Sequence, residues 1–167
     1  VALLTNRQVS AVVTLHLAYS PSLEAIDALA KLKAPIILMD TTPTFDFITE
    51  AGAQAIDRNH GIHGVQDLCS MLRRRGIPYH LACGPLEDGS VTRQVAGLCR
   101  AAQAAETMRH IKVGLIGGAF DGMGDFRLDA QTLTDVPGAE VVSVDPAELR
   151  AIADAATDTE VDEQLAE

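Results

Sequence analysis

Two histidines set three residues apart are the side chains of this sequence best suited to do chemistry. His60 and His63 are each followed by a glycine in the segment Asn-His-Gly-Ile-His-Gly, residues 59–64. An imidazole can donate or accept a hydrogen bond, transfer a proton near neutral pH or bind a metal ion. The glycines allow the backbone to turn sharply or to approach a ligand closely. We therefore treat this segment as a candidate ligand site; the alternative is that both histidines are polar loop residues beside a helix start.

A metal site at these histidines is not favoured by the neighbouring residues. On a helix, the spacing of His60 and His63 would place both on one face, but the pattern predicts a loop just before His63. The nearest carboxylates in sequence are Asp57 and Asp67, and neither has a convincing ligand spacing. His16 ends an apolar stretch and is expected to be a hydrogen-bonded residue at the edge of the core. The sequence therefore predicts no metal ligands in this chain.

A second glycine-rich segment, residues 117–126, could be mistaken for a phosphate-binding loop. A phosphate loop needs free backbone N–H groups and preferably a nearby cation, whereas this segment carries Asp121 and Asp125 and no lysine follows it. Its glycine spacing also differs from both GxGxxG and the P-loop. We therefore reject nucleotide binding and interpret the segment as a turn after a strand. Met123, which lies within it, is by residue type a packing residue.

Apolar runs predict the strands that must position these residues. Stretches rich in β-branched and apolar residues predict strands at residues 11–18, 35–41, 77–83, 112–117 and 139–144. Helical periodicity occupies most of the intervening sequence, and this strand–helix alternation is typical of parallel sheets covered by helices. The predicted fold class is therefore α/β, with two Rossmann-like or flavodoxin-like parallel-sheet lobes. In such sheets ligands bind at the carboxyl ends of the strands.

Two helix starts can be placed from local signals. One helix is predicted to begin at Gly64, with an apolar face that includes Val65 and Leu72. Another is predicted to begin at Asp145, a good N-cap that is followed by proline. Residues 42–59, before the first of these helices, are predicted to be a long connection. A connection of this length is typical of a functional or mobile loop.

The strongest turn signal divides the sequence into two parts. Residues 84–90 are Gly-Pro-Leu-Glu-Asp-Gly-Ser, a cluster typical of turns, and we place a domain boundary there. Residues 1–84 then form the remainder of a first α/β domain, residues 85–156 form part of a second, and residues 157–167 form an acidic tail or linker. The sequence begins without methionine in an apolar stretch and ends in this acidic segment. We interpret it as a piece of a longer protein.

Composition excludes several classes of function. The net charge is −10, from 13 Lys and Arg against 23 Asp and Glu, which argues against partners such as nucleic acid and anionic membranes. Aromatic residues make up 4% of the chain, too few for a base-stacking platform. The three cysteines lack CxxC spacing and are an odd number, so buried, reduced thiols in a cytoplasmic protein are expected. No apolar run has the length of a membrane span.

Four segments, taken in order along the chain, together resemble one enzyme family. Residues 59–64 resemble the His-Gly segment of the L-fucose isomerase and L-arabinose isomerase family. Val-Val-Thr-Leu-His-Leu-Ala-Tyr-Ser-Pro at residues 12–21 resembles its strand, histidine and Ser-Pro helix start, and residues 35–43 resemble the next strand and loop. Residues 116–126 resemble the first strand and loop of the family's middle domain. Where family members often carry Gly-His-Trp, this chain has Gly-Pro-Leu at residues 84–86.

The resemblance implies the N-terminal and middle portion of a larger three-domain protein. That protein would be an aldose–ketose isomerase, cytoplasmic and homo-oligomeric, of the trimer or hexamer type. Such an enzyme needs a divalent metal, Mn²⁺, on two adjacent sugar oxygens and a carboxylate base to move a proton. The resemblance places those residues in a later domain, so this chain would supply scaffold, subunit contacts and part of the sugar pocket. It also implies that His63 hydrogen-bonds a sugar hydroxyl in a neighbouring subunit's site, with His60 beside it and Met123 lining the pocket.

Two other interpretations come from different functional classes. The chain could be a non-catalytic sugar-binding or assembly module of the α/β type, and a following domain with Glu, Asp and His ligands would distinguish the enzyme from such a module. A flavodoxin-like binder of a nucleotide or flavin is the third interpretation. The acidic glycine-rich loop and the shortage of aromatic residues disfavour it.

Overall fold

The chain folds into an α/β structure with two small parallel sheets, which confirms the predicted fold class. This computed structural model describes residues 2–7, 9–43, 53–126 and 129–166. Backbone contacts divide the chain into two compact units, Val1–Ala104 and Ala105–Glu167. The division falls inside a helix rather than at the turn over residues 84–90. The domain limits proposed from the sequence therefore remain a prediction.

The first unit is built on a three-stranded parallel sheet with the strand order β1-β2-β3. Its elements are α1 (Ala2–Asn6), β1 (Val12–Leu15), a 3-10 turn (Ser22–Glu24), α2 (Ile26–Leu29), β2 (Ile36–Thr42), α3 (Ala53–Asn59), α4 (Gly61–Arg74), β3 (His80–Pro85) and α5 (Ser90–Met108). The three strands lie where the apolar runs predict them, although β1 is shorter and β3 begins later than expected.

Strand β2 is the centre of this unit because it is covered on both faces. Its first four residues, Ile36 to Met39, are all buried, as parallel strands between helices require. On one face, Ile36 and Leu38 pack with buried side chains of α2 and α4, which are Ile26, Leu29, Val65, Leu68 and Leu72. On the other face, Met39 packs with Ala82 of β3 and Val91 of α5. The predicted apolar face of α4 is confirmed.

The segment between β2 and α4 differs from its prediction. Residues 53–59 form α3, and α4 begins at Gly61 rather than at Gly64, so the expected long loop is wrong for this part of the connection. The sequence Ala-Gln-Ala-Ile in α3 favours a helix because alanine has the highest helix propensity. The rest of the predicted loop, residues 44–52, lies outside the described residues.

The Ser-Pro pair at residues 20 and 21 does not open a long helix. Pro21 precedes the 3-10 turn, and α2 contains only four residues. The backbone N–H of Ser22 donates a hydrogen bond to Asp67 Oδ2 at 2.8 Å. This bond ties the turn to α4, in addition to the short-range backbone hydrogen bonds that the segment makes within itself.

The second unit contains a two-stranded parallel sheet. Its elements are β4 (Lys112–Ile116), a 3-10 turn (Gly124–Phe126), α6 (Ala130–Asp135), β5 (Glu140–Val144), α7 (Pro146–Ala155) and α8 (Asp158–Leu165). Strands β4 and β5 pair from Lys112 with Glu140 to Ile116 with Val144, as the apolar runs predict. The predicted N-cap is confirmed, because the Asp145 side chain accepts a hydrogen bond from the N–H of Ala147 at 2.8 Å.

This second unit has little buried apolar surface. Ala139 is the sole buried hydrophobic residue among those that the structure describes between residues 105 and 166. Both strands expose large side chains, and Ile116 is 62% exposed. The acidic segment after residue 156 includes α8, whose start is held by a capping box between Thr157 and Glu160. Local hydrogen bonds therefore contribute more to this unit than core packing does.

Candidate functional site at the carboxyl edge of the first sheet

The register of the first sheet aligns three polar side chains at its carboxyl edge. Leu15 of β1 pairs with Met39 of β2, so the next residues, His16 and Asp40, are level with each other. Asp40 pairs in turn with Cys83 of β3. This is the edge at which parallel α/β sheets bind ligands. The strands thus bring an imidazole, a carboxyl and a thiol together from three distant parts of the sequence.

The first turn of α4 lies directly against His16. A Cβ atom built on Gly64 would lie 2.7 Å from Cδ2 of His16, and one built on Gly61 would collide with the His16 carbonyl oxygen. Both glycines are buried within α4. Their function here is close packing of the helix on β1, because any side chain would occupy the space that His16 fills. The close approach that the glycines are predicted to allow is present, and the group they approach is His16 of the same chain.

His60 and His63 lie on one helical turn rather than in a loop. His60 is the residue between α3 and α4, with helical φ and ψ of −66° and −16°, and the N–H of His63 donates to its carbonyl at 3.2 Å. Their rings meet edge to face with centroids 5.0 Å apart, and the Tyr19 ring stacks on His60 at 5.3 Å. The expectation of a loop before His63 is therefore wrong, and the two histidines share a face. His63 is exposed and His60 is partly buried.

Burial shifts the pKa values of the aligned pair in opposite directions. It raises the pKa of Asp40, an effect that the nearby His16 and a weak hydrogen bond from Cys83 partly oppose. It lowers the pKa of His16, which the negative charge of Asp40 partly opposes. The Cys83 thiol lies 3.9 Å from Asp40 Oδ2. Desolvation penalises the charged form of each group, and this penalty is the largest cause of both shifts.

The two cysteines nearest this edge are poor nucleophiles. Burial raises the pKa of Cys69 in α4, and burial together with the charge of Asp40 raises the pKa of Cys83. A thiol with a raised pKa carries little thiolate at neutral pH. Both residues, like Cys99, are free thiols, but Cys83 is exposed and the other two are only partly buried, so the expectation of buried thiols is wrong. The cluster is therefore better suited to hydrogen bonding than to covalent catalysis.

Met123 and the two histidines belong to different units of the chain. It belongs to the second unit, in the segment between β4 and α6, and it is 46% exposed. The expectation from its residue type, that it packs in a core, is wrong. Cβ atoms built on the four glycines of that segment, Gly117, Gly118, Gly122 and Gly124, would meet nothing within 4 Å. His60 and His63 are thus brought together within one unit, whereas Met123 belongs to the other.

Sequence reasoning did not single out Asp40, and it gave His16 only a structural role. A signal was present, because each residue follows an apolar run, residues 12–15 and 36–39 respectively. Polar residues at the carboxyl ends of adjacent parallel strands are expected to meet. Their pairing could not be deduced from spacing alone, since it depends on which strands are neighbours.

The described residues contain no group of three or more His, Cys, Asp or Glu side chains that could hold a metal ion. The Mn²⁺ implied by the resemblance therefore does not fit the residues of this edge. The side chains of His16, Asp40 and Cys83 can act there as hydrogen-bonding groups.

Comparisons with known proteins leave the family open. No protein-family model matches the chain, and a search of curated proteins finds no significant match. Within the described ranges, no helix has both the length and the apolar character needed to cross a membrane.

Proposed function

We propose that this chain is the N-terminal and middle portion of an aldose–ketose isomerase resembling the L-fucose and L-arabinose isomerases. In this proposal it supplies scaffold, subunit contacts and part of a sugar pocket in a cytoplasmic homo-oligomer. The observation that carries the proposal is the cluster formed by His60 and His63 at the start of α4 with Tyr19 from the loop after β1, at the ligand edge of the first sheet.

The chemistry of this cluster suits an uncharged sugar. Tyrosine and histidine rings combine flat apolar faces with polar edges, and sugars combine C–H faces with hydroxyl groups. The arginines Arg73, Arg74 and Arg75 lie at the opposite end of α4. A helix of 14 residues separates its two ends by about 20 Å, so these cations cannot contact a phosphate bound beside His63. A neutral polyhydroxy ligand is the better match.

In this proposal, the metal would be bound by another part of the assembled enzyme. There, Mn²⁺ would act as a Lewis acid on the sugar oxygens. The residues of this chain would orient the sugar: His63, being exposed, would hydrogen-bond a hydroxyl in the site of a neighbouring subunit. His60 and Tyr19 would hold the His63 ring in place through their mutual contacts.

A titration monitored by NMR tests the sugar-binding part of this proposal. The chain, labelled with ¹⁵N at histidine, is titrated with L-fucose and with L-arabinose. The imidazole signals of His60 and His63 should shift and saturate, whereas those of His80 and His110 should not. His80, at the start of β3, and His110, which pairs with Glu106 at 3.3 Å, serve as internal controls. Equal shifts of all these histidines, or none at any sugar concentration, would contradict the proposal.

The same titration separates the enzyme from the alternative, a non-catalytic sugar-binding or assembly module. The complete polypeptide is incubated with the bound sugar and Mn²⁺, and ketose formation is measured. Turnover supports the isomerase. Saturable binding without turnover in the metal-loaded protein would favour the module.

A further inference from the structure

Unsatisfied polar atoms are concentrated at one place in the molecule. Among the described residues, four buried side-chain N or O atoms lack a hydrogen-bond partner: Thr14 Oγ1, His16 Nδ1, Asp40 Oδ1 and Asn59 Oδ1. Thr14 and His16 lie at the end of β1, Asp40 lies near the end of β2, and Asn59 ends α3, two residues before the glycine that packs on His16. All four atoms thus belong to segments that meet at the carboxyl edge of the first sheet.

Such a concentration is unlike random packing defects. Buried polar groups in folded proteins are nearly always hydrogen-bonded, and exceptions often mark a bound water or a functional site. Asn59 is 6% exposed, and its Nδ2 already donates to the Ala55 carbonyl at 2.8 Å, so its free Oδ1 can only accept. The parallel register places the side chains of Thr14 and Leu38 on the same face, the face that α4 covers. By the alternation of side chains along a strand, Thr14 lies on the same face as His16 and Asp40.

The hydrogen-bonding capacity of the four unpaired atoms determines which chemical group could bind among them. Asn59 Oδ1 requires a donor and Asp40 Oδ1 can accept from one, the Thr14 hydroxyl can donate and accept, and His16 Nδ1 donates or accepts according to its tautomer. A hydroxyl group, which donates and accepts at once, satisfies such a mixed set. An anion does not, because Asn59 Oδ1 offers it only a lone pair and ionised Asp40 would repel it.

We propose that Thr14, His16, Asp40 and Asn59 form a hydroxyl-binding subsite that receives one hydroxyl group of a neutral polyhydroxy ligand beneath the first turn of α4. A water molecule takes the same place in the free protein. This proposal rests on the proposed sugar-binding function and adds an inner, polar end to the site whose outer rim is formed by His60 and His63. The two glycines of α4 allow that turn to lie close enough to enclose the hydroxyl.

The variant Thr14→Val tests the subsite directly, because it replaces only an unpaired hydroxyl by a methyl group of similar shape. Removal of a buried polar atom that lacks a protein partner should leave the melting temperature unchanged or raise it. In Thr41→Val, the matched control on β2, a hydroxyl that donates to the Gly84 carbonyl at 2.8 Å is lost, so the melting temperature should fall. A clear loss of stability in Thr14→Val would show that its hydroxyl is used by the fold and would overturn the proposal.

Ligand binding provides the second readout. Calorimetric titration with L-fucose and L-arabinose should show affinity lowered about two- to tenfold in Thr14→Val and in Asp40→Asn, the loss expected for one neutral hydrogen bond. The exposed variant Asp154→Asn should bind like the parent chain. In NMR, the His16 imidazole should respond to the sugar together with His60 and His63.

Two outcomes separate the failure of this proposal from that of the proposed function. If the sugars shift His60 and His63 while His16 is silent and both subsite variants bind normally, the subsite is wrong and the sugar-binding rim stands. If neither sugar binds the chain, both proposals fail, and the free atoms are satisfied by water only.

Discussion

Gly64 lies so close to His16 that a methyl group added to it would come 2.7 Å from the imidazole Cδ2 and 3.2 Å from the backbone nitrogen of Ser20. The helix that presents His60 and His63 therefore rests on the side chain that ends β1. The position of His60 and His63 therefore depends on a contact that neither of them makes.

Replacement of Gly64 by alanine should destabilise the protein although alanine favours helices. The added methyl group overpacks a buried contact, which typically costs about 1–3 kcal/mol. The matched control is Gly97→Ala in α5, where a Cβ would have only the end of the Arg100 side chain at 4.0 Å. That variant should gain about 0.5–1 kcal/mol from helix propensity. Chemical denaturation of both variants measures the difference, and a Gly64→Ala chain at least as stable as the parent would contradict the close contact.

Asp40→Asn should become more stabilising as the pH rises. Because the pKa of Asp40 is raised above its ordinary value of 3.8, the folded state binds more protons than the unfolded state in the range above 3.8. The parent chain therefore loses stability as the pH rises through the raised pKa, and asparagine removes this loss. The difference in free energy of unfolding between variant and parent should grow from pH 3 to pH 7.

Asp27→Asn serves as a control of opposite sign for that measurement. The hydrogen bond from Arg75 lowers the pKa of Asp27, so its contribution to stability is present above 3.8 and is lost as the pH falls through the lowered pKa. The variant should therefore be less stable than the parent at neutral pH, by a small amount since the pair is exposed. Curves of the same sign for both variants would refute the assignment of the shifts.

Cys83 should react slowly with alkylating agents despite its exposure. Burial, the Asp40 charge and the neighbouring Cys69 raise the pKa of its thiol, and the thiolate is the reactive form. In a Cys69→Ser, Cys99→Ser background, the rate of alkylation by iodoacetamide should rise at a higher pH than it does for a free cysteine. Asp40→Asn should move the profile to lower pH because one repulsive charge is removed. A profile that Asp40→Asn leaves in place would disprove the interaction.

His63→Ala should reduce sugar binding or turnover in the complete oligomeric enzyme while metal affinity and folding are retained. The loss of one neutral hydrogen bond corresponds to about 0.5–1.5 kcal/mol, a several-fold effect. His80 is the first residue of β3, at the amino end of the strand. His80→Ala is therefore the matched control and should behave like the parent.

Mixing experiments test whether the site is shared between subunits. Oligomers that combine His63→Ala subunits with subunits lacking their metal ligands should regain activity, because some sites then contain both functions. Absence of recovery under conditions of demonstrated subunit exchange would argue against a shared site.

The sheets could be predicted because their strands are continuous apolar runs. Residues 36–39 are buried on both faces, and an unbroken apolar run is the pattern that such burial requires. The N-cap at Asp145 could be predicted because its signal lies within a few neighbouring residues. The extent of α3 could not be predicted in the same way. Its Ala-Gln-Ala-Ile segment is short and lacks an apolar stripe, and weak helix propensity competes there with the expectation of a loop.

The candidate site could be predicted only in part for a similar reason. His60 and His63 stand out through their spacing and their glycines, and their place on a helical turn follows once α3 is known. The pairing of His16 with Asp40 depends instead on β1 and β2 being neighbours. That is a tertiary fact, since about 24 residues separate the two side chains in sequence and no local pattern connects strands in parallel sheets.

The uneven burial of the two sheets sets different lifetimes for their backbone hydrogen bonds. Strand β2 is buried over its first four residues and paired on both sides, so its amide hydrogens should exchange with solvent only when the whole first unit unfolds. Within the part of the chain that the structure describes, strands β4 and β5 pair only with each other, and every residue of β4 is exposed. Their amides should exchange through local opening, orders of magnitude sooner. Hydrogen exchange followed by mass spectrometry should therefore find two classes of exchange rate along the chain, with the slowly exchanging amides all before Ala105.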